Sequence, residues 1–177
     1  AETIADLGAI PVFADVDPVS FCLDPEDVRA RITGKTKAIL PVHLFGHGAD
    51  MEALNAIGAE HGIPVIEDSA QAWGARQNGA RIGALGAAAT FSFFPSKNLP
   101  CFGDGGMVTT NSDDVADMVR ALRFHGSRDK ETFEYVGYNS RLDELQAGFL
   151  RRHLKEIDGW NAKRRIVAGW YEEAGLG

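Results

Sequence analysis

Short, near-continuous apolar runs alternate with amphipathic segments through the first two thirds of this chain. The apolar runs are Ile10–Ala14, Thr36–Val42, Ile63–Ile66, Ala88–Phe94 and Gly106–Thr110. Each reads as a strand, by its length and its β-branched or aromatic content. Between them lie helical patterns. Asp24-Pro25-Glu26-Asp27 opens one, with an acid at the cap and proline in the first turn. Ala49–His61 carries Met51, Leu54 and Ile57 on one stripe and stops at Gly62. Ser112-Asp113-Asp114 caps another that reaches about Phe124. Strands apolar on both faces need cover on both faces, so a mostly parallel sheet flanked by helices is expected. From Arg141 the pattern turns helical: Leu142, Leu145, Phe149, Leu150, Leu154 and Ile157 form a stripe, and a further helix is expected from Asn161. Residues 1–157 therefore read as one α/β domain, and 158–177 as a helix leading out of it. The chain opens at Ala1 inside a helix end and closes inside another helical pattern, so a piece of a longer protein is expected.

Charge narrows the function classes. With 18 basic and 25 acidic residues the net charge is −7, a poor match for nucleic acid or anionic lipid. The longest uncharged run, Ile82–Ser96, is 15 residues and holds Gly, Thr, Ser and Pro, short of the roughly 20 apolar residues a membrane span needs. No secretory leader opens the sequence, and the two cysteines, Cys22 and Cys101, are too few for a disulfide scaffold. A reduced, cytoplasmic protein with neither a nucleic-acid nor a membrane partner is expected.

Several local patterns lead nowhere. Gly34-Lys35-Thr36 resembles the end of a phosphate loop, but Arg29 stands where that loop needs glycine. Gly103-Asp104-Gly105-Gly106 fails as a dinucleotide fingerprint at Val108. His43, His47, Asp15 and Asp17 match no metal-site spacing, so no metal is expected. Cys101 reads as a small loop residue before it reads as a nucleophile.

In open α/β sheets ligands sit beyond the carboxyl ends of the strands. Glu67-Asp68-Ser69-Ala70-Gln71 follows one strand, Pro95-Ser96-Lys97 follows another, and His43 follows a third. If those strands are neighbours, an acid and a lysine face one crevice. Lys97 ends the 15-residue uncharged run, and the next charge is Asp104. Desolvation favours the neutral amine, the form that does Schiff-base chemistry. Each of these residues also has a plain reading. Lys97 can snorkel from a loop, Asp68 can shape a turn, and Gln71 can open a helix. Ser92 can be an ordinary strand position, and Asn139 can cap the Arg141 helix.

Four ordered motifs carry a resemblance. They are Glu67–Ala72 (EDSAQA), Phe91–Asn98 (FSFFPSKN), Gly103–Gly106 (GDGG) and Gly137–Ala147 (GYNSRLDELQA). Together they resemble the DegT/StrS-type sugar aminotransferases, from Gly8 to Trp160-Asn161. The resemblance implies the large domain of the pyridoxal-phosphate-dependent aspartate-aminotransferase fold (fold type I), incomplete at both ends. It implies pyridoxal 5'-phosphate as cofactor, with Lys97 matching the lysine that forms the internal aldimine and Asp68 the acid that pairs with the pyridinium nitrogen. Gln71 matches a residue near the 3-hydroxyl and Ser92 a hydroxyl on the phosphate. Asn139 matches a side chain that reaches the phosphate in the neighbouring subunit, which implies a homodimer with composite sites. The implied reaction moves an amino group from L-glutamate to a nucleoside-diphosphate keto-sugar, most similar to a dTDP-3-oxo-6-deoxyhexose, in amino-sugar biosynthesis. Two other readings stay open: a non-catalytic regulator or binding protein that kept the fold, and an unrelated α/β enzyme using Cys101 or His43.

Overall fold

A computed structural model describes residues 1–176. In chain order the elements are α1 (Glu2–Asp6), α2 (Pro25–Arg31), α3 (Met51–His61), β1 (Ile66–Asp68), β2 (Arg76–Gln77), β3 (Ala80–Arg81), β4 (Ala88–Ser92), β5 (Gly106–Thr109), α4 (Asp113–Leu122), α5 (Glu144–His153) and α6 (Ile157–Glu173). The sequence punctuation works at the atomic level. Asp24 accepts from the Glu26 N–H, Asp50 from the Ala53 N–H and Ser112 from the Val115 N–H, so α2, α3 and α4 each begin on a side-chain cap. Gly62 ends α3 with φ of 63°, a left-handed closure that glycine adopts without cost.

The principal sheet has the order β1-β4-β5. β1 and β4 run parallel, in register Ile66↔Ala88 and Asp68↔Thr90. The segment at Ile39 and Val42, expected as a full strand, lies parallel to β1 and the Val65 before it through two isolated bridges, Ile39↔Val65 and Val42↔Asp68. β5 corrects a broader expectation. It runs antiparallel to β4, with Ser92 opposite Gly106 and Ala89 opposite Thr109. A parallel neighbour needs a crossover of a dozen or more residues, usually a helix, and the loop between these two strands contains none.

Two more expectations fail. Ile10–Ala14 pairs with nothing among the described residues; it lies outside any helix or strand, with Ile10 and Phe13 at 85% and 73% exposure. Apolar content alone does not make a strand without a partner ladder. The Arg141–Ile157 helix divides into α5 and α6, and α6 begins one turn earlier than Asn161 because Ile157 is itself buried.

Two apolar clusters hold these layers. One joins Val28, Ile39, Met51, Leu54, Ile57 and Val65, which presses the stripe of α3 onto β1 and its neighbour. Each fully buried aliphatic side chain contributes about 1.5–3 kcal/mol. The other joins Phe93, Leu99, Cys101, Leu150 and Ile157 beneath the loop that carries Lys97.

Candidate active site

Three chain segments end at one rim of the sheet. Val42 pairs with Asp68 at the end of β1, and β1 pairs in parallel with β4, which ends at Ser92. The residues just beyond them, His43, Asp68 to Gln71, and Ser92 to Lys97, therefore share one edge. The neighbouring-strand condition set by the sequence is met.

Asp68 is half-buried, and its Oδ1 accepts the Ala70 N–H at 3.1 Å, shaping a turn and leaving its other oxygen for a ligand. Gln71 does not open a helix. Its Oε1 accepts the Phe45 N–H at 2.8 Å, which steadies a loop where Phe45 stands at φ of 56°. Ser92 Oγ accepts the Phe94 N–H at 3.2 Å, so the hydroxyl proton is free to donate. Lys97 lies half-buried in a turn closed by its own N–H donating to Phe94 O at 2.8 Å. It takes part in none of the ion pairs among the described residues.

Asn139 is exposed on a separate loop, where its Oδ1 accepts from Arg141 Nε at 3.1 Å and its backbone pairs with Phe124. It caps no helix, because α5 starts at Glu144. The loop glycines act through close approach: a Cβ on Gly106 would lie 2.8 Å from Phe91 O, and one on Gly105 3.0 Å from Leu142 Cδ1.

Glu67 and His43 form a buried pair that sequence reading assigned no structural work. Glu67 is 1% exposed and His43 0%. His43 Nδ1 accepts the Ala49 N–H at 3.0 Å, so the proton sits on Nε2, which donates to Glu67 Oε2 at 3.0 Å. Glu67 also accepts the N–H groups of Gly83, Leu85 and Gly86 at 2.8, 2.8 and 2.6 Å. Burial alone would raise the Glu67 pKa; the His43 donor and the three backbone N–H groups outweigh it and hold the carboxyl below 4.5. Both ring nitrogens of His43 are thus engaged. Cys101 Sγ is likewise enclosed, 3.1 Å from both Phe93 O and Gly103 O, either of which can accept its one proton. A cleft of about 260 Å³ lined by Trp73, Arg81 and Met107 reaches Thr109–Asn111. Those residues follow the far end of the β4/β5 ladder, away from Ser92.

A family model described as the DegT/DnrJ/EryC1/StrS aminotransferase family matches residues 1–174. The chain belongs to this family. Among its relatives are a pleiotropic regulatory protein of Geobacillus stearothermophilus, 54% identical over 171 residues, which covers 97% of this chain and 46% of the relative. Another is the dTDP-3-amino-3,4,6-trideoxy-alpha-D-glucose transaminase of Streptomyces venezuelae, 49% identical over 168 residues, with 95% and 44% covered. The crystal structure of S. venezuelae DesV in complex with a ketimine intermediate superposes with a TM-score of 0.96 at 47% identity, over 99% of this chain and 47% of that one. The chain spans about half the length of the curated relatives it matches. The expected α/β transferase fold of this family is borne out by that superposition. No described helix is long and apolar enough to cross a membrane.

Proposed function

We propose that the full-length protein is a pyridoxal-phosphate-dependent aminotransferase that moves an amino group from L-glutamate to a nucleoside-diphosphate keto-sugar. The observation that carries this reading is the shared rim: a half-buried carboxylate, a carboxamide, a hydroxyl and a lysine amine at the carboxyl ends of two parallel neighbours. That donor set suits the cofactor, offering an acid for a pyridinium, an amine for an aldehyde carbon and a hydroxyl for a phosphate. When bound, pyridoxal phosphate supplies an electron sink for a carbanion. Asp68 would hold the proton on the ring nitrogen. Lys97 would hold the cofactor by its aldehyde carbon until the amine of glutamate displaces it, and the freed Lys97 amine would then take the proton from the α-carbon as general base. In the second half-reaction it would return a proton to the sugar carbon that gains the nitrogen. Ser92 would orient the phosphate from its own subunit and Asn139 from the partner subunit of a homodimer. Gln71 would border the 3-hydroxyl.

Within this reading residues 1–157 belong to the cofactor-binding domain and 158–177 lead toward a further one. A dTDP-linked 3-oxo-6-deoxyhexose is the proposed acceptor, supported by the name of the S. venezuelae transaminase. A cytoplasmic location suits such a substrate. The name of the G. stearothermophilus relative favours a second reading, a regulator on the same fold. Borohydride trapping separates the two. The full-length protein is incubated with pyridoxal phosphate, reduced, digested and mapped by mass spectrometry. Label on Lys97, lost in Lys97→Ala, is the expected result. Label scattered over surface lysines overturns the aminotransferase reading and promotes the regulator.

A further inference from the structure

We infer that Asn161 is a positioning residue that ties the Asp68 side of the rim to the Lys97 side; this rests on the reading above. The sheet holds the backbone as far as Ser69, whose N–H donates to Thr90 O at 2.8 Å, and Phe93, whose N–H donates to Gly105 O at 2.7 Å. Beyond those points the turn after β1 and the loop carrying Lys97 leave the ladder separately. A rigid cofactor ring needs its acid and its amine at one fixed spacing, so something must join the two departing segments.

Asn161, in the second turn of α6, joins them with one carboxamide. Its Oδ1 accepts from Asn98 Nδ2 at 3.0 Å, and its Nδ2 donates to Trp73 O at 3.1 Å. Asn98 adjoins Lys97, and Trp73 lies two residues beyond Gln71. Arg164 Nη1 also donates to Oδ1, at 3.2 Å, fixing the carbonyl end of the amide. The reverse amide orientation would set N–H against N–H at Asn98 and oxygen against oxygen at Trp73. The contact is close enough to restrict the neighbouring backbone. Gly74 stands at φ of 87°, and a Cβ there would lie 2.6 Å from Asn161 Nδ2. The base of the tie is firm: Ile157 is buried with Phe93, Leu99 and Leu150, and Trp160 packs on that cluster. His153 on α5 adds a second hold by donating from Nδ1 to Pro100 O at 2.9 Å.

The test uses the full-length holoenzyme and four forms: wild type, Asn161→Ala, Asn161→Asp and Asn98→Ala. The cofactor absorbance band is titrated with pH, and kcat and KM are measured for glutamate. Misplacement of a reacting group by about 1 Å costs about a hundredfold. A loosened tie is therefore expected to lower kcat at least about tenfold in Asn161→Ala, with KM within about threefold. The pH midpoint of the band should move with it. Asn161→Asp keeps the acceptor for Asn98 and loses the donor to Trp73, so it should fall between wild type and alanine. Asn98→Ala breaks only the Lys97 end and decides the matter if Asn161→Ala does not fold. Band midpoints and kcat at wild-type values in both alanine variants, with only the melting temperature changed, overturn the inference and leave the aminotransferase reading standing. A wild-type protein with no cofactor band removes both.

Discussion

Replacing Glu67 with glutamine is the sharpest probe of the buried pair. The carboxylate accepts two donors on each oxygen: His43 and Gly83 on Oε2, Leu85 and Gly86 on Oε1. A glutamine keeps one accepting oxygen and turns an NH₂ toward the other pair. If the NH₂ faces Leu85 and Gly86, both lose their acceptor. If it faces His43 and Gly83, His43 cannot answer by changing tautomer, because its Nδ1 must keep accepting from Ala49. Two buried donors are stranded either way, at about 1–3 kcal/mol each, so about 4 kcal/mol in total. At 1.4 kcal/mol per decade that is roughly a thousandfold rise in local opening. Native-state hydrogen exchange at the Leu85 and Gly86 amides of the full-length protein reads it directly. The pH dependence adds a check on sign. Because the folded carboxyl is held below 4.5, its contribution is full above that value and is lost as the pH falls through the lower, folded one. The gap between wild type and Glu67→Gln should stay constant near neutrality and close on acidification. Exchange at pH 7 within about threefold of wild type, about 0.6 kcal/mol, would refute the four-donor account.

Two further predictions concern the backbone and the loop after α4. Gly126→Ala should destabilise by about 3 kcal/mol or more, because its Cβ would lie 1.9 Å from Tyr135 O at φ of 85°. Gly159→Ala, in α6 with open space around it, should instead stabilise by about 0.5–1 kcal/mol; urea midpoints of the two variants should move in opposite directions. Asp129 accepts the N–H groups of Thr132 and Glu131 and the Ser127 hydroxyl, which lowers its pKa to about 2. Its hold on the loop is complete above 3.8 and disappears as the pH falls through about 2. Tyr135 fluorescence against pH should show that midpoint, and Asp129→Asn should abolish it.

What the sequence discloses follows the reach of each interaction. The caps at Asp24 and Ser112 and the stop at Gly62 are local, so residue type and spacing suffice to place them. The rim was legible because Asp68 and Lys97 each follow an apolar run, and parallel neighbours bring such ends together. Glu67 was opaque as a structural centre. Three of its partners are backbone N–H groups 16 to 19 residues away, which carry no mark in the sequence. The direction of β5 was readable from a cue that apolar content hides: residues 93–105, with Pro95, Pro100, Gly103 and Gly105, leave no room for a crossover helix. Ile10–Ala14 misled for the opposite reason, since side-chain character says nothing about whether a partner strand is present.

That reversal at β5 bears on how the Lys97 amine is held. The excursion from Phe93 to Gly105 is clamped at its neck, where the Phe93 N–H donates to Gly105 O at 2.7 Å and Ser92 faces Gly106. Closing a flexible loop of this length costs about 2 kcal/mol of chain entropy. Here the closure is made by the four-pair ladder below it, before any ligand arrives. The amine thus sits on a cul-de-sac with a single mouth, anchored independently of whatever docks against it. Doubling such a loop would add only about 0.6 kcal/mol. Stability therefore constrains its length only weakly, and under the proposed function it is the aim of the Lys97 amine that would set it.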